Sequence, residues 1–251
     1  MVASQSGKPD WDPGLVPTLK SPMLRRVRET WFHFDSGVRS PEVNMAVDEA
    51  LLEASAALGS PVLRTYGWSL PAATFGYFQR HMEIASLTSL RPLIRRPTGG
   101  GLVPHDADWT YSVVVPPDHA RYRISAETSY RLQHEWLQRA FAALGVRTDL
   151  APCCDARGPG QCFIGAEKHD LLHRGFKIAG AAQRRNRLGL LIQGSVQPKG
   201  LEVSRADWES GLREVCPDVD WSPLVMTPSL EERIRLLASE KYGAESYNRR
   251  R

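Results

Sequence analysis

The chain has 251 residues, 42% of them hydrophobic and 24% charged, so it carries enough apolar side chains for a sizeable core, and wholesale disorder is excluded. Lys and Arg number 32 against 28 Asp and Glu, a formal net charge of +4. So small an excess suits an acidic protein partner or a phosphate-bearing substrate and does not by itself indicate nucleic acid. No apolar run reaches the roughly 18 residues a membrane helix needs, so no membrane association is expected.

The first 23 residues contain Pro, Gly and Ser but no apolar stretch of the secretory kind, and they are expected to form a flexible tail. Ordered structure is expected from Leu24. The stretch Thr30 to Phe34 is strand-like. Ser40 and Pro41 then form a cap and first-turn pair, and apolar residues at Val43, Val47, Ala50, Leu51, Ala54 and Leu58 have helical spacing, with Gly59 as the stop. Short strands are expected at Val62 to Tyr66, Ala73 to Gly76, Leu93 to Arg96 and Thr110 to Val115. A second helix follows from Ala126 to Leu144, capped by Ser125 and closed by Gly145. Further strands are expected at Arg147 to Leu150, Asp170 to Leu172, Lys177 to Ala181 and Leu190 to Val196, and a last helix at Ser229 to Tyr242. Strands and helices mix without regular alternation, which predicts an α+β fold with a mixed or antiparallel sheet and packed helices.

Three segments carry chemistry. The run Arg95-Arg96-Pro97-Thr98-Gly99-Gly100-Gly101 frees its backbone to approach a ligand, and its arginines can pair with an anion. It lacks the Gly-Lys-Ser/Thr ending of a phosphate loop, and a flexible hairpin turn is the plain alternative. Cys162 precedes Phe163, and Lys177 follows fifteen residues later among apolar and small residues. A thiolate is a strong nucleophile, and an ammonium beside it lowers its pKa; the alternative is a buried Cys and a surface Lys in a turn. The basic runs Arg184-Arg185-Asn186-Arg187 and Arg249-Arg250-Arg251 suit docking of an acidic carrier better than nucleic acid.

The four cysteines, Cys153, Cys154, Cys162 and Cys216, are no disulfide framework for a chain this long, so a reducing cytoplasm is the expected setting. The loose group Cys153, Cys154, Cys162, His169 and His173 lacks the spaced cysteine pair of structural zinc, and no metal is expected.

Taken together, Asn44 to Leu52, Phe75 to Gln79, the Arg-Arg-Pro-Thr-Gly-Gly-Gly run through His105-Asp106, Thr110 to Ser112, Cys162-Phe163, Gly175 to Arg184 and Gln193 to Val196 resemble the lipoate–protein ligase and octanoyltransferase family, with its biotin–lipoate ligase-like catalytic fold. The resemblance is nearest to the cysteine-dependent, ligase-like octanoyltransferases. It implies a single catalytic domain over 24–251 and an acyl tunnel near the glycine loop. Cys162 and Lys177 are the implied catalytic residues, and Arg96, Thr98, Gly99, Gly100, Gly101, His105, Gly180, Ala181, Gln193 and Ser195 are implied to bind substrate. The implied reaction moves an octanoyl group from acyl carrier protein, through a Cys162 thioester, to a lysine of a lipoyl carrier domain or a glycine cleavage H-type protein, with no cofactor. An ATP-dependent lipoate–protein ligase using ATP and Mg is the alternative reading, and a non-catalytic lipoate or carrier binder is a second. The chain departs from the family where Gln193 replaces the usual histidine and Pro104 the usual aromatic or aliphatic residue.

Overall fold

A computed structural model describes residues 28–154 and 165–250. The tail at 1–23, the start at Leu24, and Cys162 with Phe163 lie outside the described residues.

The chain first builds a parallel pair. Strand β1 (Glu29–Arg39) leads through helix α1 (Pro41–Leu58) to β2 (Val62–Trp68), which lies parallel to β1. Pro41 starts the helix with its φ already set, and Gly59 ends it in the left-handed conformation with φ 68°. Ser40 holds the cap position, but its hydroxyl makes no capping bond. Ser125 does cap its helix, accepting from the Thr128 amide at 3.1 Å. That helix, α4, follows a short turn of helix, α3 (Ala120–Arg123), and spans Ala126–Ala143.

The main sheet adds β6 (Trp109–Val115), β10 (Gly189–Val196), β9 (Phe176–Asn186), β8 (Leu171–His173), β7 (Asp149–Leu150) and, at the far edge, β11 (Val219–Pro223). Its order is β11-β1-β2-β6-β10-β9-β8-β7, parallel where β1 meets β2 and β11 and antiparallel elsewhere. β6 and β10 are buried at every position because both faces of the sheet are covered. Val113, Val115, Leu190 and Ile192 join Trp136 and Phe141 of α4 and Trp208 of α5 (Arg205–Glu214), while Val114 and Leu191 join the α1 core. That is the two-residue alternation of a strand read out on two cores.

A small second sheet holds β3 (Ala72–Phe75) between β4 (Leu93–Arg95) and β5 (Val103–His105), with α2 (His81–Ala85) as the crossover. The chain after Val196 is built into the same body. β11 pairs with β1, and α6 (Pro228–Leu237) and the π-helical turn Ala238–Tyr242 pack on α1, where Lys241 and Tyr242 both bond Glu49. α7 (Glu245–Asn248) ends on Asn248, whose side-chain oxygen accepts from the Arg95 amide at 2.8 Å. None of the helices among the described residues is long and apolar enough to cross a membrane.

The structure departs from the expected elements at several points, β9, α5 and β5 among them. β9 runs on to Asn186, so Arg184 and Arg185 belong to a strand. The reason is its ladder: each residue from Ala179 to Asn186 pairs with β10, an alignment that the polar Gln-Arg-Arg-Asn stretch does not announce. α5 is a helix not expected from sequence, because its stripe consists only of Trp208, Gly211 and Leu212. β5 is another such element, three residues long with Pro104 at its centre.

Candidate active site

The glycine run is not a hairpin turn. It joins β4 to β5, which lie on either side of β3, so it must pass over the end of that strand. There Gly76 meets it: a Cβ at Gly76 would lie 1.9 Å from the Gly100 carbonyl oxygen, so only glycine fits. Gly100 itself has φ 82°. The Tyr77 amide donates to the Thr98 carbonyl at 2.8 Å, and Arg96 clamps the Gly99 carbonyl through Nε at 3.0 Å and Nη2 at 2.5 Å. Gly101, the last of the run, is half-buried.

Behind the loop lies a buried polar layer. The Thr98 hydroxyl donates to Gln193 Oε1 at 2.7 Å, and Gln193 Nε2 donates to Asp48 Oδ2 at 2.7 Å. Gln193 is therefore a brace between loop, sheet and α1, a task for which an amide, with an acceptor at one end and a donor at the other, is suited. Asp48 also accepts from Ser112 and from Arg64 Nη1 at 2.7 Å, with both side chains of the ion pair fully buried. Arg64 spends its other donors on Asn44 and Ser36.

His105 is enclosed in a second chain of bonds. Its Nδ1 faces Asp108 Oδ2 at 2.8 Å, its Nε2 faces the Thr74 hydroxyl at 2.9 Å, and its ring stacks on Trp68 with centroids 3.8 Å apart. Ser195 donates to the same Asp108 oxygen at 2.7 Å. Both ring nitrogens of His105 and the hydroxyl of Ser195 are thus committed within the protein, and Arg96 Nη1 reaches Thr74 at 3.4 Å. These bonds connect β10 to the glycine loop.

Lys177 stands at the start of β9. Arg174 (φ 51°) and Gly175 (φ 80°) make the tight hairpin from β8, a pair of left-handed residues that suits the strand twist. The β8–β9 register then shifts: Leu172 pairs with Lys177 but Leu171 with Ala179, so Ile178 is an extra residue. Such a bulge re-aims side chains. Lys177 Nζ meets Asp170 Oδ2 at 2.6 Å, with the two side chains 7% and 0% exposed. Asp170 also accepts from the Tyr130 hydroxyl and from the Glu167 amide, the latter at 2.6 Å. A Cβ at Gly180 would lie 2.9 Å from Lys177 Cε and 3.1 Å from its Nζ. Gly180 pairs directly with Ser195, so the space it leaves is on the face of the sheet where Ser195 and Gln193 point. The ammonium group therefore lies on the glycine-loop side. Ala181 pairs with Gly194, and its amide donates to Tyr130 Oη at 3.3 Å.

Burial first, then the Asp170 charge, holds the Tyr130 hydroxyl well above its ordinary pKa, so it remains a donor. One turn along α4, His134 is fully buried and bonded through Nδ1 to the Tyr130 carbonyl at 2.9 Å. Burial lowers its pKa from 6.5 to about 4; Lys177 and His169 add to the lowering, while the Tyr130 bond and Asp170 oppose it. The sign follows. As pH falls below about 6.5, the unfolded chain takes up a proton here that the folded chain refuses, so stability is lost down to about pH 4. At pH 4.5 the loss from this one group is about 2–3 kcal/mol. Urea unfolding at pH 7 and pH 4.5 measures it, and His134→Gln is expected to remove most of the difference.

Residues 40–198 match the model of the lipoyl protein ligase A/B catalytic domain. The chain belongs to that family. Among similar proteins, the octanoyltransferase LipM of Halalkalibacterium halodurans is 37% identical over 182 residues, 67% of this chain; the chain spans 66% of that relative's length. Lipoate-protein ligase A bound with ATP superposes with a TM-score of 0.73 at 22% identity, covering 88% of this chain and 98% of that one. The bi-partite lipoate protein ligase of Thermoplasma acidophilum, studied with its E2 lipoyl domain, gives 0.69 at 20% identity, over 88% and 96%. The two structural likenesses establish the fold.

In this lipoyl ligase-type domain, Thr98 and Gln193 bond each other, His105 and Ser195 share Asp108, and Lys177 fills the space at Gly180. Sequence reasoning missed the acidic residues. Asp170 stands before Leu171-Leu172 with nothing to mark it, and Asp108 carries one buried oxygen with no hydrogen-bond partner among the described residues. Asp48 did leave a signal, as a charge one turn before Leu51 and Leu52 on the buried face of the helix. Cys153 and Cys154, the other cysteines near Cys162 in sequence, are exposed, and the Cys154 thiol donates to Glu167 at 3.1 Å. A cavity of about 340 Å³ opens between the start of α4 and β9, and Tyr130 and Ala181 are part of its wall.

Proposed function

We propose that this chain is an octanoyl-[acyl carrier protein]:protein N-octanoyltransferase acting in protein lipoylation. The observation that carries the reading is the buried Lys177–Asp170 pair on the loop side of β9 and β10, in a chain whose similar proteins include the LipM octanoyltransferases. In the first step, the Cys162 thiolate attacks the carbonyl carbon of the octanoyl thioester, and the carrier's thiol leaves with the proton that Cys162 gave up. In the second, the amine of a lysine on a lipoyl carrier domain attacks the Cys162 thioester. An amide forms, the C–S bond breaks, and the amine's surplus proton returns the thiol.

Lys177 serves both steps. Its positive charge favours the thiolate form of Cys162, and its N–H can bond the carbonyl oxygen as negative charge grows there, a stabilisation worth about 2.7–4 kcal/mol per donor. Asp170 and Gly180 hold the ammonium in one place, which keeps reorganisation small. The donor's alkyl chain would lie along the glycine loop, which Gln193, Thr98, Arg96 and the His105–Asp108 pair keep in shape. No metal or nucleotide enters this chemistry, and a thiol nucleophile goes with a reducing, cytoplasmic setting. The reading takes 24–251 as one catalytic domain, supported by the pairing of β11 with β1.

The test is intact-protein mass after incubation with octanoyl-acyl carrier protein. One octanoyl group is expected on the wild-type chain and none on Cys162→Ala. An adduct persisting on Cys162→Ala would contradict the assignment. So would full activity of that variant with ATP and lipoate, which would favour the ligase reading.

A further inference from the structure

The two basic runs, far apart in sequence, meet in the structure. Arg184 of β9 lies 5.7 Å from the centre of the Tyr77 ring, and Arg250, just past α7, lies 4.2 Å from the same ring. Tyr77 is the residue whose amide is bonded to Thr98 of the glycine loop. Beyond it the chain exposes Phe78 at 73% and Met82 at 84%, with the Arg80 side chain between them in sequence 74% exposed. Arg249 lies close enough to His81 to lower its pKa, after burial, so the C-terminal arginines border this same segment. Glu83 and Glu245 offset Arg80 and Arg249, and Arg184 and Arg250 add positive charge to the surface. Exposed apolar side chains with guanidinium groups in the same segment and beside it, two of them pre-set on an aromatic face, have the chemistry of a protein-docking surface. Its charge calls for an acidic partner, and its border with the glycine loop calls for the partner that delivers the acyl chain.

We propose that Phe78, Met82, Arg80, Arg184 and Arg250 form the docking surface for the acyl donor, an acidic acyl carrier protein that sets carboxylates against the arginines around an apolar contact. This rests on the octanoyltransferase reading. The surface acts on association: it steers the carrier and holds it while its thioester enters beside the loop.

The test compares a protein-borne donor with a neutral small one. In the Arg80→Glu/Arg250→Glu variant, and separately in Met82→Glu, kcat/KM with octanoyl-acyl carrier protein is expected to fall by about tenfold or more, and the wild-type value to fall steeply with added salt. With octanoyl-N-acetylcysteamine, both variants are expected to match the wild type. Fluorescence anisotropy of labelled acyl carrier protein, which needs no turnover, is expected to show the same weakening. Unchanged carrier binding and kcat/KM would overturn the proposal, as would equal losses with both donors, or a loss confined to binding of the lipoyl carrier domain. A wild-type chain that binds acyl carrier protein through this surface yet transfers octanoyl from neither donor would overturn the octanoyltransferase reading and leave the surface standing.

Discussion

Asp48→Ala is expected to destabilise the fold by about 3–5 kcal/mol, because it strands the Arg64 guanidinium in a fully buried site. Both side chains of the pair are 0% exposed, so solvent cannot screen the orphaned charge. The remaining partners of Arg64 are neutral: the Asn44 carbonyl and side-chain oxygens and the Ser36 hydroxyl. The same change removes the acceptor for Ser112, Tyr66 and Gln193, and each of these donors is left buried. For a chain of this size the thermal midpoint should fall by about 10 °C. Asp48→Asn keeps the shape and one acceptor oxygen and should cost less. Because Gln193 passes the network on to Thr98, folded Asp48→Ala protein should also show a raised KM for the acyl donor. Denaturant unfolding together with donor-saturation kinetics checks both. A loss below about 1 kcal/mol would mean that the ion pair contributes little net stability here.

Lys177→Met is expected to lower octanoyl transfer by about 10²–10³-fold, the usual cost of removing one donor to a developing oxyanion. It also leaves the Asp170 carboxylate buried with, among the described residues, the Tyr130 hydroxyl and the Glu167 amide as its donors, so stability should fall as well. The two effects can be separated. Lys177→Met combined with Asp170→Asn neutralises the stranded carboxylate and should recover much of the thermal midpoint but none of the rate. Recovery of the rate in the double variant would show that Lys177 serves the fold rather than the reaction. Lys177→Arg is not expected to rescue, because Cε and Nζ already lie within about 3 Å of where a Gly180 Cβ would sit and the larger guanidinium has no room.

Helices α1 and α4 are legible in the sequence because their signals are local. Each has apolar residues at helical spacing and a glycine behind it, and the structure matches both to within a residue. The strands β6 and β10 are legible as runs of Val, Leu and Ile long enough to be buried on both faces. What cannot be read are features set by partners distant in the chain. Arg184 and Arg185 become strand residues only because Leu191 and Leu190 stand opposite them. The glycine run looks like a hairpin until β3 is placed between the strands it joins. Within the candidate site, the glycine loop and Lys177 are visible as motifs, whereas Asp170 becomes meaningful only when the β8–β9 bulge turns Lys177 towards it. Gln193, a departure from the family at the level of sequence, is in the structure a bond between Thr98 and Asp48.

Transfer through a Cys162 thioester is tested by a chase from isolated octanoyl-enzyme. The enzyme is loaded from octanoyl-acyl carrier protein, freed of donor and nucleotide, and mixed with a lipoyl carrier domain while both masses are followed. Octanoyl is expected to leave Cys162 and appear on the carrier lysine at least as fast as steady-state turnover. Octanoyl that stays on the enzyme, that departs only as free acid, or that moves only after ATP is added would contradict transfer by that route.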